Sequence, residues 1–189
     1  MKLLDRIKEW MGMRRLRREL LPERKPVARN IAEARKVGIV YVAEDEAAHT
    51  HVRNYVKRIK EEIGIGHIMA LGFTDEKELP SHLHPRLNFE ALCRKDLNWY
   101  RIPQGNTVNN FMAEEYDILI DLSLTDRLPL QYVLARSRAR FKVGRLSEGN
   151  GHIHDMMIDM AGGQSLPQLI QQLHHYLLMV NPKSEVALN

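Results

Sequence analysis

Residues 116–145 read YDILIDLSLTDRLPLQYVLARSRARFKVGR, and this stretch carries the clearest structural pattern in the sequence. Residues 117–122 form a short, almost entirely apolar run, which is typical of a strand buried on both faces of a parallel sheet. Pro129 stands where the first turn of a helix accepts proline, and Leu130, Val133 and Leu134 follow at helical spacing. Residues 141–143 resume an extended pattern. The stretch therefore predicts one βαβ unit with a right-handed crossover.

The same patterns extend along the chain. Residues 37–42 and 68–73 are further apolar runs, separated by a helical stripe that ends at Gly64. A capping box of Ser165 and Gln168 opens the last helix. Further strands are predicted at 97–102 and 153–160. Together these elements predict an α/β protein: a three-layer, Rossmann-like, doubly wound sheet of five or six mainly parallel strands with an N-terminal helical extension.

Charge and composition divide the chain into three parts. Residues 1–36 hold 12 Lys and Arg against 5 Asp and Glu, a net charge of +7, whereas the whole chain carries only +4. We therefore expect a basic helical extension at 1–36, a single α/β domain at 37–182 and a flexible tail at 183–189. The single Cys93 cannot pair within the chain, and no apolar run is long enough to span a membrane. Both observations favour a cytoplasmic protein without a signal peptide.

Three segments carry a family resemblance. They are RKDLNWY at 94–100, YDILIDLS at 116–123 and ARSRARFKVG at 135–144. In this order they resemble an uncharacterised family of proteins from the Bacteroidota, over nearly the whole chain. The resemblance implies an α/β fold and supplies no catalytic residues. The βαβ unit alone is also similar to the N-terminal half of lipopolysaccharide heptosyltransferases, but those enzymes need a second α/β domain, for which 189 residues leave no room.

Polar residues follow the predicted strands. In open parallel sheets, ligands bind outside the carboxyl ends of the strands, where the strand order reverses. A small anion or a sugar is the ligand class that such side chains would hold. The alternative is that they are ordinary helix caps and turn formers. The candidates are Glu44, Asp45, Thr74, Asp75, Ser123, Thr125, Gly144, Arg145, Gly162, Gly163 and Ser165.

Asp121 is the most informative single residue, because a carboxylate inside an apolar strand must be paired, hydrogen-bonded or near the exposed end of the strand. One interpretation is a general base, with Asp45 or His154 as its acid partner. The favoured interpretation is an acceptor of backbone or hydroxyl hydrogen bonds at the strand end.

Cofactor and metal motifs are weak. The first predicted strand is not followed by Gly-x-Gly-x-x-Gly, and no Gly-rich loop ends in Lys-Ser or Lys-Thr. Gly162 and Gly163 before a helix only hint at an anion cradle. His152 and His154 would share a strand face, but cysteine ligands are missing, so no metal is expected. No cofactor is indicated.

The N-terminal extension is the best interaction signal. An apolar stripe that includes Trp10 and Met11 adjoins an arginine cluster, Arg14, Arg15, Arg17 and Arg18. This combination suits an anionic partner, either a membrane surface or RNA. The favoured alternative is that the helix packs on its own fold or on a second copy in a homodimer.

Function does not follow from the fold. Because the common catalytic and nucleotide-binding signatures are missing, a non-catalytic binding or interaction module is the leading class. The second class is a small enzyme or ligand-binding domain for a sugar or phosphorylated metabolite at the strand ends. The third is a peripheral membrane or nucleic-acid binder that uses the basic helix.

Overall fold

One parallel sheet organises the computed structural model, which describes residues 11, 12, 14, 25–147, 152–160 and 165–181. Its six strands lie in the order β3-β2-β1-β4-β5-β6, and every pairing is parallel. This is the strand order of dinucleotide-binding Rossmann domains, with its reversal between β1 and β4. The strands are β1 (Lys36–Val42), β2 (His67–Phe73), β3 (Phe89–Leu92), β4 (Ile118–Asp121), β5 (Lys142–Arg145) and β6 (Met156–Ile158).

Four described helices cover the sheet: α1 (Glu46–Arg58), α2 (Asn106–Ala113), α3 (Leu128–Arg136) and α4 (Leu166–Met179). A π-helical turn, Ile59–Ile63, extends α1 until Gly64, whose φ of 82° ends it as predicted. The capping box of Ser165 and Gln168 is present at the start of α4. Short 3-10 helices lie at Ile31–Glu33, Ser81–Leu83 and Arg94–Asp96.

Two apolar layers, one on each face of the sheet, form the core. Because successive strand residues point to opposite faces, Ile39 and Val40 belong to different layers. The Ile39 layer packs against α1 and α4, and the Val40 layer packs against α2 and α3. The predicted three-layer α/β fold is confirmed, including the parallel pairing of the four strands around residues 37–42, 68–73, 117–122 and 141–143.

A buried lysine caps the C-terminal end of α3. Lys142 on β5 is only 2% exposed. Its Nζ donates to the carbonyl oxygens of Leu134 and Ala135, at 2.5 and 3.3 Å, in the last turn of α3. The last carbonyls of a helix have no partner within the helix and carry partial negative charge, so a cation there satisfies them and favours the helix dipole.

Two predicted strands differ from the structure. Residues 97–102 form a tight turn instead of a strand, because Asn98 Oδ1 accepts hydrogen bonds from the backbone of Tyr100 and Ile102. The strand predicted at 153–160 shortens to β6. Before β6, Asp155 Oδ2 accepts from Lys142 N while Asp155 N donates to Lys142 O, at 2.8 Å each. These two hydrogen bonds stabilise a loop before β6. Because His152 and His154 lie in this loop and not in a strand, the expectation that they share a strand face was wrong.

The described part of the N-terminal extension packs on the α/β body. Met11 and Gly12 are helical, and Gly12 is buried. A Cβ on Gly12 would lie 2.5 Å from both Tyr100 O and Leu128 Cδ2, which is closer than real contacts allow. Only glycine therefore fits where this helix meets the 97–102 turn and the start of α3.

Candidate functional site

The reversal of strand order brings two predicted residues together. Glu44 follows β1 and Thr125 follows β4, and these strands are neighbours. Thr125 Oγ1 donates to Glu44 Oε1 over 3.4 Å. The contact crosses the point at which ligands bind in open α/β sheets.

The turn after β1 is acidic and already capped. Asp45 is the N-cap of α1, where its Oδ1 accepts from Ala48 N at 2.7 Å. Glu44 precedes it and Glu46 follows it. In dinucleotide-binding domains the amides of this turn receive a pyrophosphate. Here a carboxylate takes a helix amide and three consecutive acids repel phosphate, so this turn is unsuited to that binding mode.

Asp121 and His154 form a buried pair at the end of β4. Asp121 Oδ2 lies 3.2 Å from His154 Nε2, a contact whose angles fall short of a hydrogen bond. Asp121 Oδ1 accepts from Ser123 N at 3.0 Å. The side chain of His154 is 0% exposed and that of Asp121 is 5% exposed. Asp121 and His154 are therefore paired, as the general-base interpretation of Asp121 requires of its partner. The pair is, however, closed to solvent.

Further polar atoms around the pair are buried. Ser123 Oγ and His154 Nδ1 have no hydrogen-bond partner within the described residues. Such atoms cost free energy when left unsatisfied, and they are rare in native proteins.

Gly144 on β5 makes room for the pair. A Cβ at this position would lie 2.7 Å from His154 Nε2 and 3.0 Å from Asp121 Cβ. Any side chain at Gly144 would push the imidazole away from the carboxylate. Among the predicted residues, Asp121, Ser123, Gly144 and His154 thus belong to one arrangement.

An open cleft of about 630 Å³ lies beside β1 and β2 at their carboxyl ends. Its volume falls within the range of small-molecule sites. Three carboxylates and one ammonium group face it, with Thr74 and His82 as further polar groups. The lining residues are Ala43, Glu44, Thr74, Glu76, Lys77, Glu78, Leu79, Pro80 and His82.

Two nearby carboxylates are held by cations. Arg94 donates to both oxygens of Asp75 at 2.9 Å, and this hydrogen bonding lowers the pKa of Asp75. Glu78 accepts from Lys95 Nζ at 2.6 Å, which lowers the pKa of the carboxyl. Asp75 is thus committed to a structural pair and does not line the cleft. Among the described residues, neither Glu44 nor Glu76 forms a salt bridge with a lysine or an arginine.

A histidine pair extends inward from the cleft. His82 lines the cleft, and its ring lies 6.1 Å from that of His49. The Tyr41 hydroxyl lies 2.8 Å from His49 Nδ1. Burial lowers the pKa of His49, and the neighbouring His82 lowers it further. The sequence shows His49 and His82 only as members of separate His-x-His pairs, and it did not predict that they lie together with Tyr41.

A larger depression of about 1100 Å³ lies along α4 and β6, away from the carboxyl ends of β1 and β4. Its lining includes the exposed Gln171, His175 and Tyr176 of α4. Because open α/β sheets bind ligands outside the carboxyl ends of their strands at the reversal of strand order, the smaller cleft is the better candidate despite its lower volume.

The remaining candidates stand apart or lie outside the described residues. Ser165 serves as the N-cap of α4. Arg145 Nη2 lies 3.1 Å from Asp126 Oδ1. Arg14 is exposed. Gly162, Gly163, Arg15, Arg17 and Arg18 fall outside the described residues. Within 25–147, 152–160 and 165–181, no three metal-binding side chains cluster, and no described helix is long and apolar enough to cross a membrane.

Comparison with protein families decides the relationship of this chain. The model of a family of unknown function, DUF6913, matches residues 8–180. The chain belongs to the DUF6913 family. No curated protein and no solved structure matches it. Membership of DUF6913 agrees with the expectation of an uncharacterised family and assigns no activity.

Proposed function

We propose that this DUF6913 protein is a cytoplasmic, non-catalytic binding module that holds a neutral, hydroxyl-rich small molecule in the cleft beside β1 and β2. The observation that carries the proposal is the cleft of about 630 Å³ whose lining combines Glu44, Thr74, Glu76 and His82. Carboxylates, a hydroxyl and an imidazole are groups that bind sugar or polyol hydroxyls by hydrogen bonding.

The charge of the cleft distinguishes between ligand classes. Three glutamates face one lysine in the lining, and Glu78 is itself paired with Lys95. The acidic turn at Glu44 lies at the same edge of the sheet. A phosphorylated metabolite would be repelled there, whereas a neutral polyol would not.

Binding is favoured over catalysis because of where the acid-base pair lies. Asp121 and His154 are closed to solvent, and a general acid or base must reach the proton that it transfers. The cleft, in contrast, is open. The similarity of residues 116–144 to one unit of the heptosyltransferases adds a sugar precedent by analogy.

A thermal-shift screen tests the proposal. Neutral sugars and polyols should raise the melting temperature, since a ligand at 100 times its dissociation constant stabilises by about 2.7 kcal/mol. The corresponding sugar phosphates should give smaller shifts. Glu44→Gln and His82→Gln should each weaken binding in calorimetry. Glu62→Gln, an exposed change on the turn after α1, is the matched control.

Two outcomes would contradict the proposal. Larger shifts with phosphates or nucleotides would place the ligand among anions, away from the acidic cleft. A screen without any shift would favour the second candidate, an interaction module whose partner is a macromolecule; the homodimer through the N-terminal helix belongs to that candidate.

A further inference from the structure

The turn at residues 97–103 is rigidly built. Asn98 Oδ1 accepts from Tyr100 N at 2.9 Å and from Ile102 N at 3.1 Å, while Asn98 N donates to Ile102 O at 2.9 Å. Arg101 adopts a left-handed φ of 60° to close the turn. The backbone that carries the tip is therefore held in place by these hydrogen bonds.

Trp99 occupies that tip. It is 55% exposed, and its ring makes an edge-on contact with Tyr100 at 5.2 Å between centroids. A large apolar side chain on a firm turn loses little conformational entropy when it binds, which is why such tryptophans dominate interfaces. The position serves packing poorly, since more than half of the residue faces solvent.

Basic residues lie on the two segments that adjoin this turn. The N-terminal helix touches the turn where Gly12 meets Tyr100 O, and Arg14 is exposed two residues later. Arg94 and Lys95 lie just before the turn, with side chains 52% and 56% exposed. We call Arg14, Arg94, Lys95 and Trp99 the Trp99 surface. Gly12, which meets the turn, belongs to residues 1–36, whose sequence carries a net charge of +7.

We infer that the Trp99 surface docks on the headgroup region of an anionic lipid bilayer. Tryptophan is enriched in the headgroup region of bilayers because its ring is apolar and its indole N–H is polar. Arg14 and the basic sequence of residues 1–36 add attraction to anionic lipids, whereas the charges of Arg94 and Lys95 are largely offset by Asp75 and Glu78. This docking is independent of the cleft beside β1 and β2.

The same charges favour a bilayer over a nucleic acid. Asp75 and Glu78 pair with Arg94 and Lys95, so the local excess of positive charge is small. Binding along a nucleic-acid backbone needs a row of cations and several stacking aromatics. One aromatic anchor with a few cations is enough for reversible binding to a membrane surface.

Fluorescence of Trp99 tests the docking directly. The chain has two tryptophans, so Trp10→Phe leaves Trp99 as the only reporter. Vesicles of phosphatidylcholine with phosphatidylglycerol should shift its emission to the blue, and vesicles of phosphatidylcholine alone should not. In co-sedimentation of the otherwise unchanged chain, Trp99→Ala should lower partitioning about tenfold. Arg14→Gln should lower it about fivefold.

The control is Leu87→Ala, which removes another exposed apolar side chain, 84% exposed on a different loop. It should partition like the unchanged protein. Equal losses for Trp99→Ala and Leu87→Ala would overturn the inference. So would the absence of co-sedimentation with anionic vesicles, or quenching of Trp99 by single-stranded RNA without any lipid response. Co-sedimentation of the unchanged chain decides the matter even if Trp10→Phe fails to fold.

Discussion

His154 Nε2 lies 3.2 Å from Asp121 Oδ2, and the two residues come from a loop and a strand that β5 separates in the sheet. Asp155, the neighbour of His154, is anchored on Lys142 of β5. The pair therefore ties the chain entering β6 to the end of β4, across the glycine at position 144.

Asp121 should act as a structural acceptor. Asp121→Asn retains an oxygen for Ser123 N and should change the free energy of unfolding little. Asp121→Leu removes that acceptor and should cost about 1 to 3 kcal/mol. Urea denaturation of both variants measures the difference, with the exposed Asp159→Leu as control. A more stable Asp121→Asn variant would instead indicate a carboxylate kept strained for function.

Gly144→Ala should be destabilising. The new methyl group would meet His154 Nε2 at 2.7 Å and Asp121 Cβ at 3.0 Å, so the imidazole must move. Overpacking of this kind typically costs about 1 to 3 kcal/mol. Thermal unfolding of Gly144→Ala measures it. Gly66→Ala, where a Cβ would have open space, is the control; similar melting temperatures for both variants would refute the close packing.

Lys142 should matter for stability although it is far from any proposed ligand. Lys142→Met keeps the length of the side chain but leaves the carbonyls of Leu134 and Ala135 without their donor. Each unsatisfied buried acceptor costs about 1 to 3 kcal/mol. Chemical denaturation should reveal the loss, and hydrogen exchange should report opening of the last turn of α3. An unchanged exchange pattern would argue against the capping role.

Mild acid should destabilise the protein in part through His49. Burial and then His82 hold the pKa of His49 below its ordinary value of 6.5. Below pH 6.5 the unfolded chain binds a proton that the folded chain accepts only at lower pH, so the free energy of unfolding falls as pH decreases through that window. His174, whose pKa burial also lowers, contributes with the same sign.

Melting curves between neutral pH and mild acid check this dependence. His49→Gln should flatten the pH dependence, and His51→Gln, an exposed neighbour, should leave it unchanged. Equal slopes for the unchanged protein and His49→Gln would mean that other groups dominate the acid response.

The sheet was predictable because its information is local. Residues 117–122 form an almost entirely apolar run and residues 141–143 an extended pattern, and the parallel pairing follows from their helical spacers. Asn98 and Arg101 show the limit of that approach. The apolar residues between 97 and 102 resemble a strand, but one side-chain oxygen and one left-handed residue convert them into a turn.

The site was only partly predictable. Asp121 stood out as a charge within an apolar strand, and His154 was named as one of two partners. The choice between His154 and Asp45 depends on long-range packing that no periodicity encodes. From the sequence, Gly144 is only a glycine at the end of a strand. That it leaves room for His154 is evident only from the structure. The cleft at His82 is formed by the irregular segment after β2. That segment has no hydrophobic periodicity from which its structure could be predicted.

The all-parallel sheet has a consequence for how the chain is made. β1 pairs with β2 on one side and with β4 on the other, yet β2, β3 and α2 all come before β4 in the chain. During synthesis on the ribosome, Val37 and Ile39 of β1 are made before Ile118 and Ile120 of β4. This apolar edge of β1 therefore stays unpaired until β4 has been synthesised. Such long-range pairing is slow and leaves an aggregation-prone strand edge exposed in the meantime. A nascent chain stalled before Ile118 should therefore be a client for chaperones that the finished protein no longer needs.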